Sequence, residues 1–118
     1  MDPRVIPTNV HGALDYLASG VNILFPRLLG LHDAPWAAIV PRIDGVAGAG
    51  YGLITDYELG VVKALPMPAH LAIDAAKGVL MASSPWLFGF AENGTRYWLP
   101  HVLMGVADVL AAITAKTR

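Results

Sequence analysis

The sequence contains no cysteine, which excludes disulfides, thiolate metal sites and cysteine nucleophiles together. Charge is the second scarcity: Asp, Glu, Lys and Arg make up 14% of the 118 residues, where a soluble domain carries about a quarter. Eight Lys/Arg against nine Asp/Glu leave a formal net charge of −1, so no basic field exists to hold nucleic acid. Also missing are a Gly-rich phosphate loop, a nucleophile elbow and a His-Glu-x-x-His zinc signature. Standard nucleotide and hydrolase chemistry has no foothold, and the chain reads away from an enzyme. The opening Met1-Asp2-Pro3-Arg4 lacks the basic stretch, short apolar core and cleavage site of a secretory signal. No segment is therefore expected to be removed, and the first apolar stretch would double as an insertion signal.

What fills the space is apolar: 55% of residues are hydrophobic and the mean hydropathy is +0.52. Four apolar stretches stand out, at 9–25, 35–54, 68–84 and 97–114. Each has about 17–20 residues, at the short end of what crosses a ~30 Å hydrocarbon core. The expectation is an all-α, four-transmembrane-helix bundle, one membrane domain over 1–118. Pro7-Thr8-Asn9 and Pro66-Met67-Pro68 read as helix starts, with Thr or Asn available as caps, and Pro26 and Pro85 read as stops.

Punctuating residues recur at one constant offset of 59: Pro7/Pro66, His11/His70, Asp15/Asp74, Pro26/Pro85, Gly30/Gly89, Pro41/Pro100 and Thr55/Thr114. This register predicts two tandem helix-pair repeats, one over about 7–57 and one over about 66–116. Each unit contributes two crossings, so both copies enter from the same side, and His11 and His70 lie at equal depth. Arg4, Lys63, Lys116 and Arg118 collect on the side of the termini, against Arg27 and Arg96 on the other, which favours cytoplasmic termini. On that topology Trp36, Trp86 and Trp98 anchor the outer interface.

The run Ser84-Pro85-Trp86-Leu87-Phe88-Gly89-Phe90 resembles the SPW-repeat family of bacterial integral membrane proteins, named for its Ser-Pro-Trp motif. The corresponding run of the first unit, Phe25-Pro26-Arg27-Leu28-Leu29-Gly30-Leu31, replaces Ser and Trp by Phe25 and Arg27. The resemblance implies helix-pair repeats and a bacterial inner membrane. It carries over no catalytic residue.

At 100° per residue, His11, Asp15, Ser19 and Asn22 share one stripe of the first segment, and His70, Asp74 and Lys77 share one of the third. His101 and Asp108 share a face with Gly105, and Asp44, Gly48 and Gly52 line up beside Arg42. Ionisable groups are costly in lipid and should point inward. Asp15, Asp44, Asp74 and Asp108 against Arg42 and Lys77 leave two negative charges to neutralise. The simplest pairings are Asp74 with Lys77 and Asp15 with Arg42.

Two histidines and two aspartates in a twofold His-x-x-x-Asp can act as interhelical glue or as a proton or cation relay, and can bind a divalent metal. Two imidazoles alone can ligate haem or a chlorophyll-type pigment. Gly45, Gly48, Ala49 and Gly52 form a small-residue face suited to close helix approach, inside the bundle or in an oligomer. Thr55-Asp56-Tyr57-Glu58 reads as the end of the second helix and an interface anchor. The leading expectation is a non-catalytic protein of the lipid bilayer, a self-associating homo-oligomer or an accessory subunit of a larger membrane complex. Transport and cofactor binding are the alternatives.

Overall fold

A computed structural model describes residues 2–118; Met1, with which the signal-sequence reading begins, lies outside the described residues. Four helices follow one another: α1 (Thr8–Leu28), α2 (Pro35–Leu53), α3 (Met67–Leu87) and α4 (Thr95–Thr114), with a single 3-10 turn at Ala91–Asn93. Only isolated β-bridges, Ile6 with Ala115 and Thr55 with Leu65, interrupt the helical pattern among the described residues. Helices of 21, 19, 21 and 20 residues are each about 30 Å long at ~1.5 Å per residue.

The helix ends differ from the expected ones for a local reason. Pro26 and Pro85 lie inside α1 and α3, which run on to Leu28 and Leu87. A proline removes one N–H and frees the carbonyl four residues back, and in α3 the Ser84 hydroxyl donates to that carbonyl, Met81 O, at 2.7 Å. The Ser of Ser-Pro-Trp thus repairs what the Pro takes away. Pro41 in α2 frees Ala37 O in the same way, and His101 Nε2 on α4 donates to it at 2.9 Å. The helix stops are set instead by Gly30 and Gly89, whose φ values of 66° and 77° are left-handed. At the starts, Pro7 and Pro66 occupy the cap positions without side-chain caps. Thr8, expected to cap, donates its hydroxyl to the Glu58 carboxylate at 2.7 Å.

α1 packs chiefly on α2, and α3 chiefly on α4, with a lighter α2–α3 seam between the pairs. Both hairpins close by backbone approach at glycine. A Cβ on Gly45 would sit 2.6 Å from Ser19 O, and one on Gly105 would sit 2.4 Å from Gly78 O. Gly48 and Gly52 complete this face, against Ser19 and against Tyr57 and Tyr16. The small-residue stripe is consumed inside the bundle.

The interior divides along its length. Around the 29–34 and 88–94 loops sits an apolar cluster of Phe25, Leu31, Ala37, Met81, Phe90 and Tyr97. Trp36 stacks on Phe88 at this end, and Trp86 lies 6.0 Å from Trp98. Toward the termini the interior is polar. Arg4 donates to Ala112 O and Ala115 O, capping α4, and Val5 and Ile6 bond Thr114 O. Large apolar side chains point outward along every helix, among them Leu17, Ile43, Val46, Val79 and Leu103, each more than half exposed. One helix, Thr95–Thr114, is long and apolar enough by itself to cross a membrane. In the other three, His, Asp, Asn, Ser and Lys on the inward face dilute an apolar exterior.

Candidate functional site

His11 and Asp15 sit one turn apart on α1, and His70 and Asp74 one turn apart on α3, so each pair projects from a single face. The helices bring the pairs together near the terminal end. His11 Nε2 lies 2.9 Å from Asp74 Oδ2 and 3.2 Å from Asp15 Oδ2. His70 Nε2 lies 2.7 Å from Asp15 Oδ2 and 3.1 Å from Asp74 Oδ2. Two nitrogens and two oxygens therefore alternate around one point, all within 4.8 Å of one another. Both imidazoles are fully buried, and their rings meet edge to face at 5.5 Å. That contact leaves no slot between them for a macrocycle, so the haem and pigment readings lack a cavity.

A second ring of groups surrounds these four. Tyr51 on α2 donates its hydroxyl to Asp74 Oδ1. Thr55, fully buried just beyond α2, makes two bonds of 2.7 Å, one to Tyr51 O and one with His70 Nδ1. The Thr55 hydroxyl has one proton, and the Tyr51 carbonyl can only accept it, so Thr55 Oγ1 accepts from His70 Nδ1–H. This fixes the His70 tautomer. Tyr57 roofs the cluster from the terminal side, tilted against His70 at 5.3 Å and pressed on Gly12. Burial pushes the Tyr57 phenol up from its ordinary value, and the hydrogen bond from Thr8 holds the nearby Glu58 carboxyl below its own. The segment expected to end the helix and anchor the interface also forms one wall of the site.

Nearer the middle of the bundle, Lys77 Nζ is 2.7 Å from Asp44 Oδ1 and 3.0 Å from Asp108 Oδ2, and Asn22 donates to Asp44 at 3.1 Å. Lys77 therefore does not pair with Asp74, as its i,i+3 spacing had suggested. Across the bundle it meets two carboxylates that have no other cation. Asp15 does not pair with Arg42 either: that side chain turns to the far end of α2, toward His32 at 3.4 Å. A small polar cavity, lined by Asp15, Ser19, Asn22, Tyr51, Lys77 and Asp108 among others, joins the two clusters.

His101, on the same α4 face as Asp108, is held away from both clusters. Besides its bond to Ala37 O, it packs between Phe25 at 5.2 Å and Phe90 at 4.8 Å. It closes the polar interior off from the opposite end. Sequence reasoning missed Tyr51 and read Thr55 only as a repeat position and a helix end; the available signal was an uncharged polar pair four residues apart at the end of an apolar run.

A family model, described as the SPW repeat domain, matches residues 9–115. No curated protein and no solved structure gives a significant match.

Proposed function

The chain belongs to the SPW repeat family, and we propose that it is a four-span inner-membrane protein of two tandem helix-pair units whose interior binds a cation. All-helical architecture, an apolar α4 and family membership make it a membrane-associated protein. Helix lengths near 30 Å and outward apolar side chains support a full complement of crossings. The duplication is supported by recurring contacts. Ile6 pairs with Ala115 before α1 as Leu65 pairs with Thr55 before α3. Gly45 presses on Ser19 and Ile23 as Gly105 presses on Gly78 and Ala82. α1 and α3 begin 59 residues apart and α2 and α4 begin 60 apart, so the second connection is one residue longer.

The observation that carries the function is the buried cluster of His11, Asp15, His70 and Asp74, made by both units together. Its charge calls for a cation, and its position favours holding over conduction. Among the described residues the polar interior meets the Phe25–His101–Phe90 stack, which supports holding over an end-to-end polar route. A dedicated binding role fits a non-catalytic subunit, in which the cluster locks the two helix pairs together.

The test is thermal unfolding of the detergent-solubilised protein across pH and across added cations. We expect a melting temperature that rises with the bound cation in the wild type and is flat in Asp15→Asn. A wild-type melting temperature indifferent to both variables contradicts the reading.

A further inference from the structure

Resting on that cation-binding reading, we propose that the cation is a tetrahedral divalent transition metal of the zinc class, held by His11 Nε2, His70 Nε2, Asp15 Oδ2 and Asp74 Oδ2. The alternative is that protons alone hold the four groups together: two imidazolium rings would balance the two carboxylates, each Nε2–H shared between two oxygens, and the metal titration below separates the two. Four N···O contacts between 2.7 and 3.2 Å share at most one N–H from each Nε2. His70 has already committed its Nδ1 proton to Thr55 Oγ1. A neutral His70 therefore turns the bare lone pair of Nε2 toward two carboxylate oxygens, which repels unless a positive centre lies between them. That arrangement, with Nδ1–H on a fixed acceptor and Nε2 toward the centre, is how proteins orient a metal-ligating imidazole.

The dimensions are close. Zinc–nitrogen and zinc–oxygen bonds of about 2.0–2.2 Å make tetrahedral edges of about 3.3–3.6 Å, so the four N···O edges of 2.7–3.2 Å have to open by several tenths of an ångström and the N···N and O···O edges have to settle from within 4.8 Å. Each carboxylate offers one oxygen, and the second oxygen of Asp74 takes the Tyr51 hydroxyl. Two carboxylates and a divalent ion leave the centre neutral, as a low-dielectric interior requires. Two nitrogens and two oxygens in a closed set suit zinc-class ions. Magnesium and calcium, which want six or more oxygens, are poorly served. The centre is not symmetric in its outer groups. Because the second connection is one residue longer, the buried position that corresponds to Thr55 is Ala115 rather than the Thr114 expected at an offset of 59; it has no hydroxyl, and His11 Nδ1 is correspondingly buried without a partner.

Full-length protein in mild detergent, stripped with a chelator and titrated with Co²⁺ and then Zn²⁺, tests this. We expect one ion per chain, the intense visible absorption of tetrahedral Co²⁺, displacement by Zn²⁺, and no response to Mg²⁺ or Ca²⁺. Thr55→Val should keep the stoichiometry and weaken Zn²⁺ binding by about 10–100-fold, a change that loss of packing alone would not confine to the metal. If that variant fails to fold, the Zn²⁺-dependent rise in wild-type melting temperature stands as the supporting result. A wild type that takes up no Co²⁺, or takes it up with the weak absorption of a six-coordinate ion, overturns the proposal. Should melting then still depend on pH in the wild type and not in Asp15→Asn, the cation-binding reading survives with the proton as its ligand. If neither pH nor metal matters, both fall.

Discussion

Three of the four histidines are fully buried, yet the two ends of the bundle use them in opposite ways. At the terminal end His11 and His70 face two carboxylates, and the second nitrogen of His70 is fixed by a hydroxyl. At the other end His101 faces two aromatic rings and a backbone carbonyl that Pro41 has left free. Burial of an imidazole therefore says little about its role; the partner of each nitrogen says most. His101 stabilises a proline-broken helix. The paired histidines meet two buried carboxylates, the arrangement on which the proposed metal centre rests.

The largest effect that sharpens this contrast is expected at Lys77, which lies between the two ends. Lys77→Met leaves Asp44 and Asp108 buried without their cation, at a cost of about 3–5 kcal/mol. Chemical denaturation should show that loss, while the metal content stays at one per chain because Lys77 touches none of the four ligand atoms. His101→Phe should cost less, about 1–3 kcal/mol, by stranding Ala37 O. Its Co²⁺ spectrum should be unchanged; a changed spectrum would mean that the two ends communicate and that the division is false. The smallest effect goes the other way. Ala115→Ser offers His11 Nδ1 the acceptor that Thr55 gives His70, and should tighten metal binding by up to about 10-fold, or about 1.4 kcal/mol. A competition titration against a calibrated chelator measures it.

Much of this was legible in the sequence. Hydropathy located all four helices, and the His-x-x-x-Asp spacing put the right pairs on one face of α1 and α3. Pro26 and Pro85 misled because a proline need not end the helix it sits in: the Met81 carbonyl freed by Pro85 takes a hydrogen bond from Ser84, three residues on, and both helices run two residues past their proline to a left-handed glycine turn. The ion pairs misled for a related reason. Spacing along one helix suggested Asp74 for Lys77, whereas its partners come from α2 and α4, which a single-helix projection does not contain. Arg42 lies near the α2 turn that faces His32, so its charge never enters the interior count. Thr55 and Tyr57 were read as a terminus because their roles exist only once the 55–65 loop folds back over His70.

X-ray absorption on the zinc-loaded full-length protein tests the central claim most directly. We expect four light-atom ligands at about 2.0–2.2 Å, two of them with the multiple-scattering signature of imidazole. A six-coordinate oxygen shell, or a shell with fewer than two imidazoles, would contradict a centre built from one His-Asp pair of each unit.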